Sequence, residues 1–311
     1  MKKITMPKSD TITEIFEDFI ISRKTKGLAE KTLQSYRQHF RAIAKHLDIS
    51  QPMDSLSKSD LDDMIASMRD ADLSPNSINS YTRTLKSFFS WCNEESITNL
   101  NITLFKAEET IKETYTDVEL EKLLKKPDIR KCSFAEYRDW VIINFLMNSG
   151  SRAATVRAVQ IRDLDLDSGM VYYRHTKSRK VQVIPLCQPM VAIFREYLKI
   201  RRGTDADPLF CTESGQPLKE NALRLSIARY NQRRGVQKTS LHLFRHTFAR
   251  KYLVDCDGDA FTLQRLLGHS TLKMTKHYCN IFDADIVKNF DNFSPLAQMK
   301  RKDTNKIKMK K

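Results

Sequence analysis

Four short stretches downstream of residue 148 hold side chains that could do chemistry together. Ser149-Gly150-Ser151-Arg152 closes an apolar run, and Thr176-Lys177-Ser178-Arg179-Lys180 sits between two strand-like segments. His242-Leu243-Phe244-Arg245-His246 places a histidine three residues before an arginine. Leu266-Leu267-Gly268-His269-Ser270 is followed, nine residues after its histidine, by Tyr278. These residue types suit a phosphodiester. Its transition state spreads charge over the non-bridging oxygens, so a protein acting on it mostly positions groups and stabilises charge. Planar guanidiniums bind such oxygens in paired, charge-assisted hydrogen bonds, roles that Arg152 and Arg245 fit. Tyr278 fits a covalent nucleophile, and its phenol, with a free pKa of about 10, needs a base and a positive site. His242 and Arg245 can face one phosphate from a single helical turn. His269 can donate a hydrogen bond to a phosphate oxygen.

In order, in spacing and in the strand–turn location of the lysine, these stretches resemble the tyrosine recombinase (phage integrase) family of site-specific DNA recombinases. The resemblance runs from about residue 11 to 295. It rests on the combination of His-x-x-Arg, Leu-Leu-Gly-His-Ser and a tyrosine at the right offset, since each piece alone is common. It implies transesterification of duplex DNA: Tyr278 attacks, a 3′-phosphotyrosyl link forms and a 5′-hydroxyl leaves. A hydroxyl from a second duplex then reverses the step, with no cofactor, ATP or metal. The resemblance gives Lys177 the protonation of the leaving oxygen, while Arg179 and Lys180 compete for that place or contact backbone phosphates. It also implies a homotetramer on DNA joined through segment 284–298, an accessory directionality protein and nucleoid association, and the scattered cysteines point to a reducing cytoplasm. Integration and excision of a mobile element is the task preferred. Dimer resolution, or relaxation of DNA by a type IB topoisomerase-like enzyme, is the alternative. Thr155 departs from the family's usual acidic residue three positions after the first arginine, and Ser151 stands where a bulkier apolar residue is common.

The elements that must position these residues read as mainly helical with a small antiparallel sheet. Few breakers (8 Gly and 9 Pro) favour helices. Residues 11–97 read as four helices after an extension at 1–10, and the resemblance makes them a SAM-like core-binding domain. Its second helix shows an apolar face with Arg37, Arg41 and Lys45 on the other side, either a solvated face or a DNA-contact face. Asp60, Asp62, Asp63, Asp70 and Asp72 would mark a face turned away from DNA. Residues 98–114 read as a linker, 115–298 as the catalytic domain and 299–311 as a basic tail. In the catalytic domain, Thr116 with Glu119 is a capping box, and Ala135–Asn148 is a strongly apolar helix. Val159–Ile161, Met170–Tyr173 and Val181–Pro185 read as three short strands. Helices follow at about 188–201, 218–233, 241–254, 260–267 and 271–281. Ile286, Val287, Phe290 and Phe293 then form an amphipathic stretch, either a core helix or the segment exchanged between protomers. The length leaves no room for a further DNA-binding domain before residue 11.

Composition narrows the classes. The net charge is +15, with residues 1–100 neutral, 101–299 carrying +9 and 300–311 carrying +6. Such an excess points to nucleic acid, anionic membrane or acidic protein as partner. No apolar run approaches the roughly 18 residues that span a bilayer; the longest uncharged one is Trp140–Asn148. Six scattered cysteines without a Cys-x-x-Cys pair argue against zinc ribbons and disulfide frameworks. His242 and His246 are four apart, but Leu243 occupies the place where a zinc-binding His-Glu-x-x-His motif needs glutamate. No metal site is therefore expected. His246 reads as a core residue, and Tyr172, Tyr173 and Tyr230 as packing residues.

Overall fold

A computed structural model describes residues 10–104, 113–174, 181–272, 274, 275 and 296. The chain divides into two compact units, Met1–Thr110 and Ile111–Lys311.

The first unit has four helices: α1 (Ile12–Thr25), α2 (Glu30–Ile43), α3 (Lys58–Asp70) and α4 (Pro75–Glu94). Their starts follow local chemistry. Thr11 with Glu14 and Ser57 with Asp60 form capping boxes that satisfy orphan backbone N–H groups. Ser74 accepts from the Ser77 N–H, with Pro75 in the first turn. α1, α2 and α4 pack on one another around Phe16, Phe19, Phe40 and Phe88. The Phe16 and Phe40 rings stack at 3.7 Å between centroids.

The second unit opens with α5 (Asp117–Leu124), started by the expected Thr116–Glu119 capping box. α6 (Phe134–Ser149) follows and runs through the middle of the unit, packed by α5 and by α8 (Gln188–Arg201), α9 (Glu220–Arg233) and α10 (Leu241–Val254). Neighbours on several sides explain why its buried residues lie nearly all round it rather than in one stripe. α7 (Ala153–Ala158) leaves its end, and α11 (Ala260–Leu267) packs on α10. Strands β1 (Leu164–Asp165), β2 (Met170–Tyr173) and β3 (Gln182–Pro185) form an antiparallel sheet in that order, with Val171 opposite Leu164 and Ile184. The mainly helical class with a small sheet is the one expected. Of the helix expected at 271–281, Thr271 is a bend, Leu272, Met274 and Thr275 are helical, and the rest lies outside the described residues.

The first strand is a correction. Val159–Ile161 does not pair with β2, because its backbone is committed elsewhere. The Val159 carbonyl accepts from Leu209 N–H at 2.8 Å, and Ile161 N–H donates to the Asp207 carbonyl at 3.0 Å. The Asp163 carboxylate then accepts from Gln160 N–H at 2.9 Å and closes a 3₁₀ turn over Ile161–Asp163. β1 begins only after that turn.

Gly150 ends α6 in the left-handed region, with φ +59°. A Cβ there would stand 2.4 Å from Phe248 Cδ1 and 2.7 Å from Leu267 Cδ2. Gly150→Ala should therefore lower stability by about 1–3 kcal/mol, the usual cost of overpacking a closed core. Urea unfolding of the full chain measures this, and an unchanged midpoint would contradict it.

Candidate active site

Three helix ends make the site. α6 ends at Gly150, and Ser151 leads to Arg152, the N-cap of α7. α10 carries His242, Arg245 and His246. α11 ends at Gly268, also left-handed at φ +61°, and the next residue is His269.

Arg245 is 4% exposed. A buried guanidinium must be hydrogen-bonded, and this one is. Its Nη1 donates to the Gly150 carbonyl at 2.8 Å, and its Nη2 to the Leu267 carbonyl at 2.9 Å and to His269 Nε2 at 2.7 Å. Two of these acceptors are carbonyls at helix C-termini, where the helix dipole is negative. Arg152, half-buried, reaches the same Leu267 carbonyl at 3.4 Å. The structure thus brings Arg152, Arg245 and His269 together. It places His242 exposed on α10, one turn before Arg245, with its ring 6.3 Å from that of half-buried His246. Lys177, Arg179, Lys180 and Tyr278 lie outside the described residues, as does segment 284–298 apart from the exposed Leu296.

The hydrogen bonds set the state of His269. Arginine has donors only, so His269 Nε2 accepts. The ring is then neutral with its proton on Nδ1, which donates to Thr275 Oγ1 at 2.9 Å. Burial, with Arg245 and Arg152 adding repulsion, pushes the imidazole pKa down to about 4.

Several residues that hold this arrangement carry no motif. From β3, Gln182 donates its amide to the Arg265 and Leu266 carbonyls at 2.7 and 2.9 Å, fastening the end of α11. Thr275 orients His269. Thr155, the departure from the family's acidic position, lies beside Asp163, Tyr173 and Arg174 in one crevice. The acid there is Asp163, 2% exposed and paired with Arg174 at 2.7 Å. Ser149, Ser151 and Tyr173 join their hydroxyls beneath the arginine turn. The sequence signals among these are two departures from the family pattern, Thr155 at the usual acidic position and Ser151 in an ordinarily apolar place. Among the described residues, no group of three or more His, Cys, Asp or Glu is arranged to hold a metal. No helix among them is long and apolar enough to cross a membrane.

In the first unit the expected cationic stripe divides. Arg37 turns toward α1 and pairs with Glu17 at 2.7 Å, whereas Arg41 and Lys45 are exposed. Residues four apart stay within about 40° of one another around a helix, so Arg37 lies on the flank of the Arg41 row that meets Glu17 of α1. The exposed row on α2 instead runs through Lys31, Gln34, Gln38 and Arg41 and on to Lys45 beyond its end. On α3, Asp60 is taken up by the Ser57 cap, and Asp62, Asp63 and Asp70 are exposed.

Residues 113–285 match the model of the phage integrase family, and residues 16–96 match that of the phage integrase N-terminal SAM-like domain. The chain belongs to the phage integrase family, the tyrosine recombinases. It is 26% identical over 300 residues to the tyrosine recombinase XerD of Staphylococcus haemolyticus, covering 93% of this chain and all of that protein. It is 28% identical over 228 residues to XerC of Thermodesulfovibrio yellowstonii, covering 69% of this chain and 74% of that one. Among solved structures, the Tn1549 transposon integrase in complex with a circular intermediate DNA superposes with a TM-score of 0.74 at 21% identity, covering 87% of this chain and 95% of that one. A lambda integrase tetramer bound to a Holliday junction superposes at 0.69 and 18%, covering 88% and 78%.

The depressed His269 pKa has a testable consequence. Between its ordinary value of 6.5 and about 4, the unfolded chain binds a proton that the folded chain does not. Stability therefore rises with pH across that window and is lost as pH falls through it. The wild type should lose stability from pH 6.5 to 4 more steeply than His269→Gln, read as urea midpoints against pH. Parallel curves would refute the neutral, accepting His269.

Proposed function

We propose that the chain cuts and rejoins duplex DNA at a specific site through a 3′-phosphotyrosyl link to Tyr278. The observation that carries this reading is the convergence of Arg245, Arg152 and His269 at the ends of α6 and α11, inside the segment that matches the family model. Two guanidiniums already held by carbonyls form a preorganised positive site. A scissile phosphate entering it supplies better acceptors than neutral carbonyls do. Arg245 turns part of its fork to the phosphate, and His269 Nε2, released from Arg245 and taking up a proton, donates to a second oxygen. His242, exposed one turn along α10, contacts the same phosphate. Tyr278 attacks phosphorus, its proton passing to a neighbouring base, and Lys177 protonates the departing 5′ oxygen. The first unit supplies the core-binding contacts, with Arg41 and Lys45 on phosphates and Arg37 bracing α2 against α1. Arg179 and Lys180 contact the backbone near the cut.

The assembly proposed is a homotetramer on DNA linked through 284–298, with an accessory protein setting direction. The structural likeness to the lambda integrase tetramer on a Holliday junction supports that arrangement. Integration and excision of a mobile element, the task we prefer, is compatible with the likeness in fold to the Tn1549 transposon integrase. The full-length similarity to XerD keeps dimer resolution as the second reading.

Trapping the covalent complex on genomic DNA and sequencing the attached strand tests the function and supplies the site. A junction at the ends of a mobile element supports integration and excision, and a single chromosomal or plasmid site supports resolution. Relaxation of supercoils without a strand-exchange product would indicate a topoisomerase. Tyr278→Phe should form no adduct while still binding DNA, and normal adduct formation would refute the nucleophile. Arg245→Lys keeps the charge but loses the fork, and should slow cleavage about a hundredfold; wild-type cleavage would refute the clamp. Lys177→Ala should be rescued by a 5′-bridging phosphorothiolate, a leaving group that needs no proton. Rescue of Lys180→Ala instead would reassign the acid.

A further inference from the structure

Beneath the arginine turn lies a chain of buried hydroxyls whose direction can be read. Ser149 Oγ donates to the Phe145 carbonyl at 2.7 Å, so its proton is used. Toward Ser151 Oγ, at 2.8 Å, it can therefore only accept, and Ser151 donates. Ser151 Oγ, its own proton used, must in turn accept from the Tyr173 hydroxyl at 2.5 Å. The order is Tyr173 to Ser151 to Ser149 to the Phe145 carbonyl. All three side chains are buried, at 4%, 6% and 0% exposure. Burial pushes the Tyr173 phenol up to about 12, which keeps the donor protonated.

The relay ties β2 to the last turn of α6 through the residue between Gly150 and Arg152. The Gly150 carbonyl is an acceptor of Arg245, and Arg152 follows Ser151 directly. We propose that Tyr173 and Ser151 are positioning residues that set the orientation of both arginines toward the scissile phosphate. An apolar side chain at 151 would fill space without fixing the turn to the sheet, whereas a hydroxyl with one donor and one acceptor bond fixes its direction. The proposal rests on the phosphodiester reading of this site.

The test uses the full chain and the DNA site recovered by covalent trapping. Tyr173→Phe keeps the ring and removes only the first donor; Ser151→Ala breaks the relay without adding volume. Both should bind the site with unchanged affinity and cleave it about ten- to a hundredfold more slowly in single turnover, the range expected for a small misplacement of catalytic groups. A methylphosphonate at the scissile position carries no charge for the arginines to neutralise, so the loss should shrink on that substrate. A variant that was merely partly unfolded would lose equally on both substrates, and equal losses would overturn the proposal. So would wild-type cleavage by Tyr173→Phe. A second readout needs no cleavage: exchange of the arginine side-chain N–H protons with solvent, followed by ¹⁵N NMR, should quicken at Arg152 and Arg245 in both variants. Should the wild type form no adduct on any DNA, the proposed function fails. Unchanged arginine exchange would then separately overturn the relay.

Discussion

The candidate site of the second unit is organised by the buried charge of Arg245. A guanidinium removed from water costs several kcal/mol unless its N–H groups find acceptors, and Arg245 finds three. Two are carbonyls that helices α6 and α11 leave unpaired at their C-termini. For both to reach one side chain on α10, the two helices must end at the same place. Each does so with a glycine in the left-handed region. The close packing of Phe248 and Leu267 around Gly150 follows from the same requirement.

The arrangement makes the site positive before any ligand arrives. Arg152 shares the Leu267 carbonyl with Arg245, so both guanidiniums are held within reach of one anion. The same crowding of positive charge, with burial, keeps His269 neutral. A phosphate would reverse that balance, since an anion beside the ring favours its protonated form. Charge stabilisation and proton uptake would in this way be coupled through the Arg245–His269 hydrogen bond.

The first unit is built differently. Its core is an aromatic cluster, Phe16, Phe19, Phe40 and Phe88, that needs no buried ion. Its charges stay on the surface, where they cancel over residues 1–100. The excess of +15 lies wholly downstream. Net charge therefore says little about the first unit's surface, where an exposed cationic and amide row on α2 and exposed aspartates on α3 coexist.

Local rules in the sequence determined the helices, because capping chemistry and apolar spacing act over three or four residues. Thr116 with Glu119, Pro75 after Ser74, and Gly268 after Leu267 each mark an end that the structure keeps. The motif spacing likewise carried the family and the candidate residues Arg152, Arg245 and His269. Long-range pairing decided the rest. Val159–Ile161 looks like a strand by composition, and only its bonds to residues 207–209 take it out of the sheet. Nothing near Arg37 in the sequence shows that Glu17, twenty residues earlier, pairs with it at the surface. The state of His269 depends on Arg245, 24 positions away, and the Ser151 hydroxyl beside Arg152 is held by a tyrosine in β2. A hydrogen bond between distant residues leaves no period in a sequence, since nothing local distinguishes a tyrosine that packs from one that also donates. Which residues are present was legible; which proton each one holds was settled by the contacts that folding creates.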